Sequence, residues 1–299
     1  MNYLFLTFKI NFLLCLFNNF NGSLTTKNHL PNCIFAIQIL QMSITFYKYQ
    51  GTGNDFVIID NRQQLFPKND TKLVNRLCDR KFGIGADGLI LLENDTDSDF
   101  KMVYYNADGA ESSMCGNGGR CIVSFAKYLG VVENKAAFNA IDGLHHASIT
   151  GEIVSLQMQD VNGVSVINNY TFLDTGSPHH VQFEDNLKDL DVKKLGAAIR
   201  YGKYGAPGSN INFVKKESDS VFRVRTYERG VEDETLSCGT GVTAVAIAMN
   251  YLKETAEETI TLKTEGGDLK VSFTNENGNY KDIFLKGPAK QVFKGEINW

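Results

Sequence analysis

The chain is poor in the features that mark several protein classes. Its 299 residues hold six cysteines, too few for a disulfide scaffold at this length, and their spacing shows no paired Cys-x-x-Cys pattern of the kind that holds zinc. No metal is therefore expected, and a reducing, cytoplasmic setting fits best. No long basic run appears, and the formal net charge is −4 with an isoelectric point near 5.8. That balance argues against nucleic acid as a partner and for a small-molecule substrate. Long hydrophobic runs are missing too: the longest apolar stretch, Phe12 to Phe17, is too short to span a bilayer, so no membrane is expected. The remaining composition, 43% apolar and 21% charged, is that of a globular protein with length enough for two domains.

Acidic residues are wholly absent from residues 1–41, whose only charges are Lys9 and Lys27. Asn18-Asn19-Phe20-Asn21 follows the apolar stretch where a signal peptide would carry a small-residue cleavage site. The segment reads as a disordered tail or an upstream-extended start, with Met42 the natural initiator. Without it, Cys15 and Cys33 drop out and the charge becomes −6, from 28 basic and 34 acidic residues.

What the chain does have is itself, twice. Thr175-Gly176 stands 123 residues after Thr52-Gly53, Gly208-Ser209-Asn210 after Gly85-Ala86-Asp87, Tyr227 after Tyr104, and Cys238-Gly239-Thr240-Gly241 after Cys115-Gly116-Asn117-Gly118. Four matches in one order at one offset point to a duplicated domain with pseudo-twofold symmetry. Strand-like runs (Ile44–Tyr47, Phe100–Tyr105, Val221–Tyr227, Asp268–Phe273) are separated by Gly, Asn and Asp turns. One helix per half is clear. Ile122 to Leu129 runs on from the first Cys-Gly block and stops at Gly130, and Val242 to Leu252 follows the second. The latter is apolar nearly all round and belongs in a core. The expected fold is α+β: two pseudo-twofold-related domains, each a mixed, largely antiparallel sheet wrapped around a central helix, with the active site in the cleft between. The expected domains are residues 42–159 with 287–299, and residues 160–286. Gly83-Ile84-Gly85-Ala86-Asp87-Gly88 matches a dinucleotide fingerprint, but helix precedes it and strand follows, the reverse of the required order.

A cysteine at a helix N-terminus meets unpaired backbone N–H groups and a partial positive charge, which favour a thiolate. The same N–H groups can hold a carboxylate. Twofold-related domains bring two such sulfurs to one cleft from opposite sides. Inverting a carbon centre needs this: a base takes a proton from one face and an acid returns one to the other. Cys115 and Cys238 are thus the candidate acid–base pair. Cys78 and Cys121, which face Tyr201 and Ala244 at the offset, read as core residues.

Gly51-Thr52-Gly53-Asn54-Asp55-Phe56, Asn106-Ala107-Asp108-Gly109, Met114-Cys115-Gly116-Asn117-Gly118, Glu228-Arg229-Gly230 and Ser237-Cys238-Gly239-Thr240-Gly241 resemble the diaminopimelate epimerase family, in family order from about Met42 onward. The resemblance implies interconversion of L,L- and meso-2,6-diaminopimelate, in lysine and peptidoglycan synthesis, without pyridoxal phosphate, metal or other cofactor. It implies Cys115 and Cys238 as alternating acid and base. Gly116, Asn117, Gly239 and Thr240 would cradle the carboxylate at the reacting carbon, and Asn54, Asn106, Asn210, Glu228 and Arg229 would hold the distal end. His179 and Ser177 would lend support. Two departures stand out. Gly176-Ser177-Pro178-His179 replaces the Gly-Asn-Pro-His of many members, and Gly88 stands where some carry Gln. The competing readings are a proline-racemase-type enzyme on the same scaffold, and a non-catalytic amino-acid binder or thiol redox sensor. Glu228-Arg229 and the several Asn residues suit a zwitterionic far end, which proline lacks. Oligomeric state is not legible, and a homodimer stands as an option.

Overall fold

The computed structural model describes residues 43–112 and 114–298, so the expectations for residues 1–41 lie outside the described residues. The first half runs β1 (Ser43–Gly51), β2 (Asn54–Asp60), α1 (Thr71–Cys78), β3 (Gly88–Glu93), β4 (Phe100–Asn106), α2 (Gly116–Tyr128), β5 (Lys135–Ala140), β6 (Gly143–Thr150) and β7 (Ile153–Gln157). The second runs β8 (Val164–Ile167), β9 (Tyr170–Asp174), β10 (Pro178–Phe183), α3 (Val192–Tyr204), β11 (Asn210–Ser218), β12 (Val221–Glu228), β13 (Asp233–Thr235), α4 (Gly239–Tyr251), β14 (Thr259–Thr264), β15 (Gly267–Glu276) and β16 (Asn279–Pro288). A final strand, β17 (Lys290–Asn298), returns to pair antiparallel with β1.

The duplication is exact in topology at its centre. α2 and α4 are both 13 residues long and begin 123 positions apart. Around α2, β1–β2 is antiparallel, β2–β3 parallel, β3–β4 antiparallel, β4–β5 parallel, and β5–β6–β7 antiparallel. Around α4 the series repeats as β9–β10, β10–β11, β11–β12, β12–β14 and β14–β15–β16. Antiparallel pairing of β7 with β16 joins the halves into one hydrogen-bonded sheet system. Each half is therefore a mixed sheet wrapped around one helix. Helix α1 precedes the Gly83–Gly88 turn and β3 follows it, so no dinucleotide-type strand–turn–helix exists there.

Burial explains the sequence patterns. In α4, Val242 and Ala244 to Ala248 are fully buried, and small residues there let strands approach on every side. In β2, Phe56 and Ile58 face the main core while Val57 and Ile59 pack under α1 with Leu73, Val74 and Leu77. A strand covered on both faces reads as a continuous apolar run rather than an alternating one. No described helix is long and apolar enough to cross a membrane.

Two adjacent histidines on β10 are buried polar groups in this core. His180 is 1% exposed, stacks on Tyr170 at 4.2 Å, and bonds Tyr204 Oη and Gln182 Oε1 through its two ring nitrogens. Burial lowers its pKa to about 4, with Lys203 adding to the fall and the Gln182 bond opposing it. Such a group is neutral in the fold but protonates in the unfolded chain near 6.5, so its stabilisation is complete above that pH and is lost as pH falls towards 4. The loss amounts to roughly 3 kcal/mol. Urea unfolding free energy should therefore fall steeply from pH 6.5 to 4. A His180→Phe protein, whatever its absolute stability, should show a slope shallower by up to about 1.4 kcal/mol per pH unit. An unchanged slope would exclude the assignment.

Candidate active site

Helices α2 and α4 start head to head. A Cβ built on Gly239 would lie 3.2 Å from Gly116 Cα, and one on Gly116 would lie 3.5 Å from Gly239 Cα. Both would also press on Leu285 of β16, at 3.0 and 3.1 Å. Glycine at these two positions thus suits the close backbone approach as well as the admission of a ligand. The contact sets the two preceding residues, Cys115 and Cys238, at a common junction.

Each cysteine is an extended N-cap residue whose carbonyl accepts the first helical bond, from Gly119 at 2.7 Å and Val242 at 2.9 Å, and neither side chain caps its own helix. The sulfurs are left to other partners. Cys115 Sγ lies 3.6 Å from Asn54 Oδ1, and Cys238 Sγ lies 3.4 Å from Thr240 Oγ1. Without forming a cap bond, the backbone N–H groups of Gly118 and Asn117 at the first sulfur and of Gly241 at the second each favour the thiolate. Burial nevertheless outweighs them and pushes both thiols up, with the Glu228 carboxylate reinforcing the rise on both. This corrects the expectation that helix N-termini alone would make the sulfurs acidic: taking a thiolate out of water costs more than a few N–H groups return. The shared influence of Glu228 also shows that it and both sulfurs occupy one electrostatic neighbourhood.

The remaining predicted residues divide into groups. Asn54, which the family resemblance assigns to the distal end, lies against Cys115 and accepts from Asn117 Nδ2 at 3.4 Å. Its own Nδ2 donates to Asp87, which Arg80 holds through an ion pair. Asn117 is 1% exposed and its side chain is spent on structure, donating to Ser237 O at 3.0 Å and accepting from Arg120 at 3.0 Å. Thr240 O accepts from Thr175 Oγ1 at 2.9 Å. Asn210, Ser177 and Arg229 form a cluster: Ser177 Oγ accepts from Asn210 Nδ2 at 3.0 Å and Arg229 Nη2 at 3.3 Å, while Asn210 Oδ1 accepts from the Arg229 N–H at 2.8 Å. The serine thus keeps the role of tying this corner together. Asn106 is exposed at the end of β4, in register with Gly88. A Cβ on Gly88 would come within 2.6 Å of the Tyr104 ring, so tyrosine occupies the space that a glutamine would need.

His179 is fully buried and its pKa falls to about 3 through burial and the Arg229 charge. Asn212 Nδ2 bonds both His180 O, at 2.9 Å, and His179 Nδ1, at 3.1 Å, while Asn212 Oδ1 accepts from Thr226 Oγ1 at 3.0 Å. With both amide hydrogens committed, Nδ1 is the acceptor and the neutral ring carries its proton on Nε2. Asn212 and its partner Thr226 escaped the sequence reading, as did Thr52, Asp87, Thr175 and Arg120. Most were within reach. Thr52 and Thr175 are repeat mates, as are Asp87 and Asn210, and the contact of Asn54 with Asp87 is repeated by Ser177 with Asn210. Asn212 is a lone polar residue in the apolar run Ile211 to Val214.

Cavity size does not mark the site. A cavity of about 650 Å³ lies at the far end of α4, among Asn250, Asn275 and Tyr280. A smaller one, about 480 Å³, is bordered by Met114, Thr175 and Thr240, beside both cysteine loops.

A family model described as diaminopimelate epimerase matches residues 46–162 and 171–292, one segment per half. A diaminopimelate epimerase of Flavobacterium psychrophilum is 63% identical over 253 residues, covering 84% of this chain and 99% of the relative. That of Chlorobaculum tepidum is 43% identical over 257 residues, covering 83% and 98%. Among solved structures, a phenazine-biosynthesis protein of the PhzF family from Bacillus anthracis superposes with a TM-score of 0.70 at 14% identity, covering 86% of this chain and 99% of that one. A hydroxyproline epimerase from Agrobacterium vitis gives 0.62 at 13% identity, covering 86% and 92%. These two likenesses speak for the fold alone, whereas the paired match along both halves and the high identity over nearly the full length of the bacterial relatives make this chain a member of the diaminopimelate epimerase family.

Proposed function

We propose that the protein interconverts L,L- and meso-2,6-diaminopimelate by a two-base mechanism with no cofactor. The observation that carries the reading is the head-to-head contact of two cysteine-capped helices at Gly116 and Gly239. One cysteine, as thiolate, removes the α-hydrogen as a proton and becomes a thiol. The electron pair left on carbon delocalises into the adjacent carboxylate, which the converging helix N-termini stabilise. The other cysteine, as thiol, delivers its proton to the opposite face and is left as thiolate. The pair ends reversed, so the return reaction starts from the product. Burial raises the basicity of whichever sulfur is ionised, which suits a weakly acidic C–H bond.

The distal end falls to Arg229, Asn210 and Glu228. The guanidinium suits a carboxylate and Glu228 an ammonium. A proline-type substrate has neither group at a far end, and this favours diaminopimelate over the racemase alternative. Two-lobed closure over the substrate suits a domain boundary at residues 159 and 160, with residues 287–299 rejoining the first lobe. The pairing of β17 with β1 supports that assignment. Free thiols are required throughout, which fits the cytoplasm, and Cys78, Cys115, Cys121 and Cys238 are all free.

Incubation with diaminopimelate in deuterated water, with nothing added, should put deuterium at the α-carbon during turnover. Cys115→Ala and Cys238→Ala should each lose inversion by at least about 10³-fold. Near-normal inversion by either variant would end the two-base reading. Arg229→Met should lower kcat/KM for diaminopimelate by roughly 10- to 100-fold without conferring activity on proline or hydroxyproline. Preference for a proline substrate in the unaltered protein would instead select the racemase alternative.

A further inference from the structure

The two halves are twins at the cysteines but not one turn beyond them. In α2 the residue five places after the cysteine is Arg120, and in α4 the residue at the repeat-related position is Thr243. Both do the same local job. Arg120 Nη1 donates to Gly116 O at 3.2 Å, and Thr243 Oγ1 donates to Gly239 O at 2.9 Å. The difference is one full positive charge. Side chains on a helix lean back towards its N-terminus, so this charge lies under the end that carries Cys115.

Arg120 is wholly buried, with 0% exposure, and all its hydrogen-bond acceptors are neutral: Gly116 O, Thr52 Oγ1 at 3.0 Å and Asn117 Oδ1 at 3.0 Å. Its Nε has no hydrogen-bond partner among the described residues. Among the described residues no carboxylate forms an ion pair with it, and the ionisable groups that bear on it are the thiols of Cys121 and Cys115. A buried cation without a counter-ion is costly, so an anion that forms beside it is stabilised in proportion. Cys121 lies in the apolar interior, and burial pushes its thiol up to about 12. Cys115 sits at the helix end beside backbone N–H groups. The groups bearing on Cys115 are Arg120, Glu228, Tyr104, Cys121 and Cys238, of which Arg120 alone is a cation. Those facing Cys238 are Glu228, Thr240 and Cys115, with no cation among them.

We propose that Arg120 is a positioning residue for charge: its uncompensated guanidinium makes the two sulfurs unequal, so that the resting enzyme carries the thiolate on Cys115 and the proton on Cys238. The inference rests on the two-base reading above. It supplies what the near-identity of the two cysteine turns leaves open, namely which end of the pair is loaded first. The asymmetry also favours proton abstraction by Cys115 from the first substrate to bind.

The test is the pH dependence of iodoacetamide alkylation at each cysteine, read from initial rates by peptide mass spectrometry. In the unaltered protein, Cys115 should react with an apparent pKa below that of Cys238. At a common pH below both, Cys115 should react roughly 10- to 100-fold faster, the ratio expected of a unit charge several ångströms away in a protein interior. Arg120→Met should erase most of that difference, and Arg120→Lys, which keeps the charge but loses the fork, should retain it. Equal profiles for the two cysteines in the unaltered protein would overturn the proposal even if Arg120→Met fails to fold. An equal loss in the Met and Lys variants would overturn it too, by showing a packing role. These failures are separable from failure of the two-base reading, which shows only as epimerisation that survives removal of a cysteine.

Discussion

Everything at the candidate site depends on two backbones touching. Gly116 and Gly239 meet closely, and a Cβ on either would press on Leu285. Two helix N-termini, each a concentration of partial positive charge, would repel one another across such a junction unless something anionic lay between them. A carboxylate substrate and a thiolate are both of that kind. The scaffold that forces the ends together is the rest of the protein. Each helix is jacketed on its sides by its own sheet, and the β7–β16 pairing locks the two jackets into one system.

The duplication gives this arrangement its economy. A single folding unit that places a cysteine and a cluster of N–H donors at one helix end becomes, when repeated about a pseudo-twofold axis, a pair of groups on opposite faces of a bound carbon. Exact symmetry is not what the chemistry needs, because substrate and product differ at the reacting centre and the distal end must be recognised once. The departures from symmetry are accordingly chemical. Arg229 and Glu228 face Asn106 and Tyr105 at the repeat offset, Arg120 faces Thr243, and the Asn54–Asp87 contact becomes Ser177–Asn210. The core helices, by contrast, keep the same length and the same start.

The thiols show how far local reasoning reaches. Helix ends and glycine turns are local features, and both pointed to ionisable sulfurs. The opposing desolvation is not visible in the turn itself: Cys238 is 7% exposed in the fold, and burial outweighs the N–H groups beside it. Asn54 illustrates the same limit. Its place at the start of β2 follows from the turn chemistry of Gly51-Thr52-Gly53. Its orientation towards Cys115 follows from Asp87, 33 residues on, which claims the amide nitrogen and turns the oxygen to the sulfur.

From sequence alone came the duplication, the α+β class, the two helices that begin at the cysteines, and the candidate reactive pair. All of these rest on periodicity, turn residues and one constant offset, which are carried by neighbours along the chain. Tertiary structure alone decided that Gly116 and Gly239 abut, that Tyr104 fills the space beside Gly88, that the Asn117 side chain bonds Ser237 and Arg120, and that a charge without a partner lies under one cysteine and not the other. Those facts depend on which side chains and backbones the fold brings together, from 123 positions apart for Gly116 and Gly239. Such packing sets the local dielectric and the free volume, and no short window of sequence contains it.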